Sequence, residues 1–274
     1  MNYGTLITPS NLNLDNDDWA IIDARFYLAE PDKAEAAYLE GHIPGAVYAH
    51  LDRDLSGPTT GSNGRHPMAS TEQMVDRFSK WGIDEDVQVV VYDYAGGQSA
   101  SRVWWMLRYL GHHAVAVLDG GLPAFEGELR AGREERTPRT FTPLVRDTMR
   151  IDIDALVERR DAHLLVDARS DERFRGENET LDPVAGHIPG AHSLPCSSNL
   201  SSDGRFVSAD ELRARFGAVV GERDATEVIS YCGSGVTACH NLLAMEVAGI
   251  HGARLYPGSW SEWCADESRP IETG

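Results

Sequence analysis

The chain has 274 residues, of which 42% are hydrophobic, enough for one large domain or two of ordinary size with real cores. Its 43 acidic residues against 25 basic ones give a formal charge of −18, which repels nucleic acid and anionic membrane and argues against both as partners. No basic stretch precedes an apolar core in Met1 to Ser10, no apolar run approaches the roughly 18 residues of a membrane span, and the four cysteines (Cys196, Cys232, Cys239, Cys264) do not form a secreted disulfide framework; a soluble cytoplasmic protein with free thiols is expected.

In chain order, short apolar runs predict strands at about 20–23, 47–50, 87–93 and 114–119, and helices near 33–40, 71–81 and 98–110. The charged stretch from Glu126 to Pro143, with two prolines, reads as a linker. Beyond it, strands are predicted near 164–167, 192–194, 227–231 and 253–256, and Ser208 with Glu211 makes a capping box opening a helix through about Phe216. Alternating strands and helices predict an α/β protein whose parallel sheets are flanked by helices. The boundaries are 1–125 for the first domain, 126–147 for the linker and 148–274 for the second domain.

The two halves repeat each other. Gly41-His42-Ile43-Pro44-Gly45-Ala46 returns as Gly186-His187-Ile188-Pro189-Gly190-Ala191, and Asp23-Ala24-Arg25 returns as Asp167-Ala168-Arg169. Val90-Val91-Tyr92 matches Ile229-Ser230-Tyr231, and Gly120 matches Gly258. Shared landmarks in the same order exclude coincidence and predict two copies of one domain. Asp23 and Asp167, each closing a strand, are expected to fix loops.

Cys232-Gly233-Ser234-Gly235-Val236-Thr237-Ala238 lies between the apolar strand ending at Tyr231 and the next helix. The carboxyl end of a parallel strand is where such folds place their sites, and the following helix points its N-terminus there. Two glycines let successive N–H groups turn inward around an anion, whether a thiolate or a sulfur bound to it as a persulfide. Cys232 is therefore read as a nucleophile. Its alternative, a buried structural thiol, requires neither the glycines nor a helix start beyond them.

These segments, with the closing Gly258-Ser259-Trp260-Ser261-Glu262-Trp263, resemble the tandem rhodanese-domain sulfurtransferases over nearly the whole chain. The resemblance implies two rhodanese-like domains, the first non-catalytic and the second catalytic, in agreement with Asp93 standing where Cys232 stands in the second copy. It implies transfer of sulfane sulfur from 3-mercaptopyruvate, through a Cys232 persulfide, to a thiol such as thioredoxin or a small thiol, or to cyanide, without a cofactor. It also implies that Gly233, Gly235, Val236, Thr237 and Ala238 cradle the sulfur, that Ser234 joins His66 and Asp52 in a hydrogen-bonded triad, and that Arg173 grips the donor carboxylate. One departure stands out: the family's second carboxylate-binding arginine follows this segment, yet Glu177 to Val184 contains none, so either Arg175 or a residue from elsewhere substitutes, or the donor is not gripped in the same way.

Several alternatives remain open. His66 also reads as a surface or turn residue, and Arg173 as an exposed ion pair with Asp171 or Glu177. Trp260 and Trp263 fit a pocket wall or ordinary core packing. Thiosulfate is the rival donor, although the uncharged Gly233 and Ser234 favour a monoanion. A phosphatase is excluded because the sixth position after Cys232 is Ala238, not an arginine. A non-catalytic sulfur- or partner-binding module fits Asp93 but not Cys232. A metal site is not expected, since His42 and His187 each stand alone in their repeats and Cys232 with Cys239 is not zinc-knuckle spacing.

Overall fold

The computed structural model describes residues 2–274, which form two compact units. The first comprises residues 2–56, Ala69–Arg146 and Ser202–Phe206; the second comprises Gly57–Met68, Asp147–Ser201 and Val207–Gly274. Among the described residues no helix is long and apolar enough to cross a membrane.

In the first unit the strands are β1 (Leu6–Ile7), β2 (Trp19–Asp23), β3 (Ala46–Tyr48), β4 (Gln88–Tyr92) and β5 (Val115–Leu118). Among the described residues they form one sheet in the order β1-β5-β4-β2-β3, every pair parallel. The helices are α1 (Pro31–Glu40), α2 (Leu51–Asp54), α3 (Thr71–Lys80) and α4 (Ala100–Tyr109). All five residues of β4 are buried and four of them are apolar, as a central parallel strand requires. Ser70 and Gln73 close a capping box at the start of α3.

The stretch read as a linker packs along this unit. Arg130 bridges His42 through the backbone, Phe141 is buried against Phe78, and Leu144 N–H donates to Leu110 O at 2.8 Å. Of its apolar side chains Phe141 is covered, whereas Leu129 and Leu144 remain exposed.

The second unit contains α5 (Ile153–Arg159), β6 (Leu164–Asp167), α6 (Asp171–Arg175), β7 (His192–Ser193), α7 (Ala209–Val220), β8 (Val228–Tyr231), α8 (Thr237–Val247), β9 (Arg254–Leu255) and α9 (Ser259–Trp263). Among the described residues its parallel sheet runs β7-β6-β8-β9. Where the first unit has β1, this one has only an isolated bridge between Arg150 and Leu255.

The repeated motifs hold the fold together. Arg25 donates to Asp23 and, at 2.7 Å, to Gly41 O; Arg169 donates to Asp167 and, at 2.7 Å, to Gly186 O. Each arginine thus ties a strand end to the first glycine of Gly-His-Ile-Pro-Gly-Ala. Tyr92 Oη accepts from Ile43 N, and Tyr231 Oη from Ile188 N. His42 Nδ1 bonds Tyr38 O and His187 Nδ1 bonds Phe174 O, each ring stacked on the side chain whose carbonyl it engages. The paired histidines and aspartates are internal fasteners, as buried polar groups must be when each is given a partner.

Candidate active site

The buried strand β8 delivers Cys232 to the carboxyl edge of the second sheet, and α8 begins five residues later. Cys232 is only 2% exposed, yet its sulfur is met by a main-chain donor. Its Sγ accepts the backbone N–H of Gly235 at 3.1 Å. Gly235 has φ +76°, and a Cβ there would run into the carbonyl of Pro257, so only glycine lets this amide turn back onto the sulfur.

The closing segment holds the loop from the other side. Trp260 N–H donates to Cys232 O and Ser261 N–H to Gly233 O, both at 2.9 Å. Ser259 Oγ accepts Cys232 N–H at 3.1 Å and donates to Tyr256 O at 2.9 Å. Ser259 is fully buried with φ +55°, a left-handed conformation that a non-glycine residue keeps only when its surroundings enforce it. Sequence reasoning did not single out Ser259. Its position directly after Gly258, the landmark shared with Gly120, was the available signal.

Ser234, buried in the loop, is hydrogen-bonded through Oγ to His66 Nδ1 at 2.8 Å. His66 belongs to the segment 57–68 of the same unit and is itself buried, so the surface-residue reading does not hold. Asp52 stands on α2 of the first unit, where its backbone N–H caps onto His50 Nδ1 at 3.1 Å. Val236 is the N-cap residue of α8 and Thr237 its first residue, while Ala238 packs into the core. Thr237 also hydrogen-bonds the thiol of Cys196, whose pKa is pushed up to about 12 by burial and by the nearby Cys232.

Arg173, on α6, is not paired with Asp171 or Glu177. Its Nε donates to Glu179 Oε2 at 2.9 Å, and its Nη2 donates to Glu179 Oε1 and Asp182 Oδ2, both at 3.0 Å. Arg175, the proposed substitute for the absent second arginine, is bound by Glu177 at 2.7 Å and is largely exposed; it turns to solvent and not to the loop. Arg65, the residue before His66, occupies the neighbourhood instead. Its backbone N–H donates to Ser261 Oγ at 3.0 Å and its guanidinium forms an ion pair with Asp182. Burial, reinforced by the adjacent Arg173 cation, holds the Arg65 pKa below its ordinary value.

Trp260 and Trp263 are core residues. Both are essentially fully buried in one cluster with Tyr231 and Tyr256, and Trp260 Nε1 donates to Val184 O at 2.9 Å. Among the described residues no group of three or more histidine, cysteine, aspartate or glutamate side chains is arranged to hold a metal ion.

In the first unit Asp93 takes the position of Cys232 at the end of β4, and the loop to α4 is two residues longer than its counterpart. Its carboxylate fills the space inside that loop.

Comparison with known proteins agrees with this geometry. A probable 3-mercaptopyruvate sulfurtransferase of Pseudomonas aeruginosa is 43% identical over the full length of both chains. A putative thiosulfate sulfurtransferase of Mycobacterium tuberculosis is 41% identical over 94% of this chain and 92% of its own. The solved structure of 3-mercaptopyruvate sulfurtransferase from Leishmania major superimposes with a TM-score of 0.84 at 30% identity, covering 95% of this chain and 74% of the other. The description "Rhodanese-like domain" fits residues 10–128 and 152–266, one copy for each sheet. With both halves matched and relatives this similar along their whole length, the chain belongs to the rhodanese-like family as a tandem of two such domains.

Proposed function

We propose that the protein is a cytoplasmic sulfurtransferase that moves sulfane sulfur from 3-mercaptopyruvate to a thiol acceptor, such as thioredoxin or a small thiol, or to cyanide, through a persulfide on Cys232. The observation carrying this reading is the strand-end Cys232 Sγ receiving the Gly235 N–H at 3.1 Å, with a helix start directly beyond it.

In the first step the Cys232 thiolate attacks the sulfur of the donor. A sulfur–sulfur bond forms, the carbon–sulfur bond breaks, and its electron pair leaves on the three-carbon fragment as the enolate of pyruvate. The proton of the donor thiol ends on that fragment, giving pyruvate and an anionic persulfide. The Gly235 amide, with the other N–H groups of residues 233–238, supports that terminal negative charge. Ser234 and His66 act as a hydrogen-bonded pair that can polarise the donor carbonyl or pass a proton to the leaving enolate. In the second step an acceptor thiolate attacks the outer sulfur, carries it away and restores Cys232.

Thiosulfate is the second reading, favoured by the 41% identical relative of that name. Against it stand the uncharged Gly233 and Ser234 and the two carboxylates on Arg173, which leave little net positive charge to hold a dianion. The test is mass spectrometry of the protein after exposure to each donor. One added sulfur on the Cys232 peptide with 3-mercaptopyruvate is the expected result; sulfur from thiosulfate alone would replace the donor, and none from either would remove the reading.

A further inference from the structure

We infer that Arg159, His163 and Arg254 form an oxyanion-binding site at the amino edge of the second sheet, suited to the dianionic head of phosphate or a phosphate monoester. The site stands apart from the sulfur-transfer reading, since β8 runs between it and Cys232 at the opposite edge.

Strand order brings the three residues together. His163 immediately precedes β6, Arg254 opens β9, and β8 lies between those strands. Leu165, Ile229 and Arg254 are in register, which puts both His163 and Arg254 near the strand starts. Arg254 reaches across β8 so that its Nη2 stands 3.2 Å from His163 Nδ1 and 3.4 Å from Nε2. Arg159, the last residue of α5, adds a second guanidinium whose charge acts on both of the others.

The cluster lacks negative charge. In a chain with 43 acidic residues, neither Arg159 nor Arg254 has a carboxylate within ion-pair distance among the described residues. Other arginines of this chain show the contrast: Arg53 and Arg133 share Glu35, and Arg139 is held by Asp18 and Asp84. Glu227, an acid whose charge reaches His163, stands 4.0 Å from Arg223. Arg254 is half-buried, and its Nε is a buried donor without an acceptor. Burial and then the Arg159 cation pull the Arg254 pKa below its ordinary value; burial, Arg254 and Arg159 do the same to His163. Two permanent cations thus meet over a neutral imidazole with nothing to balance them, an arrangement that costs stability until an anion arrives.

The donors define the ligand. Two guanidinium forks carry two positive charges and more N–H groups than the two oxygens of one carboxylate can accept. A tetrahedral dianion matches the charge and offers an oxygen to each fork. His163 contributes as well: with one ring nitrogen accepting from Arg254, the other carries a proton and donates. Arg159 is exposed whereas His163 and Arg254 are half-buried, so the ligand enters from the Arg159 side.

Isothermal titration of the full chain with inorganic phosphate, in chloride buffer, tests the assignment. Saturable binding with a Kd below about 1 mM is expected, weakened at least about tenfold by Arg159→Gln and by Arg254→Gln. Arg159 is exposed, so its variant decides the matter if the Arg254 variant does not fold. Arg160→Gln, at a neighbour already paired with Asp161, should leave the Kd within about twofold. Glycerol phosphate separates the two sources of the same head group: tighter binding than phosphate assigns an ester, and equal or weaker binding assigns the free anion. Absence of saturable phosphate binding, or binding that survives both Arg159→Gln and Arg254→Gln, would overturn the site.

Discussion

Gly97 N–H donates to Asp93 Oδ1 at 2.9 Å, which places a side-chain carboxylate inside the first unit's strand-to-helix loop. Ala95 N–H shares the same oxygen at 2.8 Å, and Ser99 and Ala100 donate to Oδ2 at 2.8 and 3.0 Å. Cys232 stands at the corresponding place in the second unit, with Gly235 N–H on its sulfur. One loop design thus appears twice, once filled by its own carboxylate and once opening on a thiol. The Asp93 side chain has no chemistry by which to carry sulfane sulfur, and it leaves no room in its loop for another anion.

Asp93→Ala removes the only side-chain acceptor for four amides, two of them in fully buried bonds. A loss of about 3 kcal/mol is expected for the first unit, because charge-assisted bonds are lost and the amides left without partners. Urea unfolding checks this, and an unchanged midpoint would contradict it. Asp93→Asn, which retains one acceptor oxygen, should fall between the two.

Gly235→Ala places a Cβ against the Pro257 carbonyl at φ +76°. The loop must shift, and the amide that faces Cys232 Sγ shifts with it. Sulfur uptake should fall by at least about tenfold, with a stability loss of about 1–3 kcal/mol. Single-turnover loading and thermal melting measure the two effects separately.

Cys232→Ser is expected to lower sulfur transfer by more than about a thousandfold while leaving the circular dichroism spectrum intact, since the reaction has no other route to a persulfide. Cys239→Ala and Cys264→Ala, both at buried core positions, should keep most activity and lose about 1 kcal/mol of stability each. Substantial turnover in the Cys232 variant would show that another group carries the sulfur.

His112 makes the first unit sensitive to acid. It is buried beside Phe141, with Nε2 on Ala114 O at 3.2 Å, and burial holds its pKa below the ordinary 6.5 despite the opposing carbonyl contacts. The unfolded chain therefore binds a proton that the folded one resists. The contribution is complete above pH 6.5 and is lost as pH falls below it through the folded value. Denaturation midpoints recorded as a function of pH should drop on the acid side of 6.5, and His112→Gln should flatten that part of the curve.

Most of the sheets could be read without coordinates, because a strand buried on both faces is mainly apolar: Trp19–Asp23, Gln88–Tyr92, Leu164–Asp167 and Val228–Tyr231 all lie within a residue of the expected ranges. The Ser208–Glu211 capping box began α7 as expected, though the helix runs on to Val220. Strand β1 escaped notice: two residues, Leu6 and Ile7, whose pairing with Val117 and Leu118 leaves no periodicity to detect. Arg175 was a reasonable substitute by position alone, yet its fork is taken by Glu177, two residues away in the chain.

Sequence alone determined the duplication, the parallel α/β architecture and the identity of the strand-end thiol, because each is written in local pattern: hydrophobic runs, paired motifs, and glycines next to a cysteine. Tertiary structure alone decided what surrounds that thiol. Ser234 meets His66 across 168 positions and Arg65 meets Asp182 across 117, and the strained Ser259 reaches back 27 residues to the Cys232 amide. Such pairings arise when separate segments are packed onto one sheet edge; no neighbour in the chain announces them, since the forces that select them act only after the backbone has closed the distance.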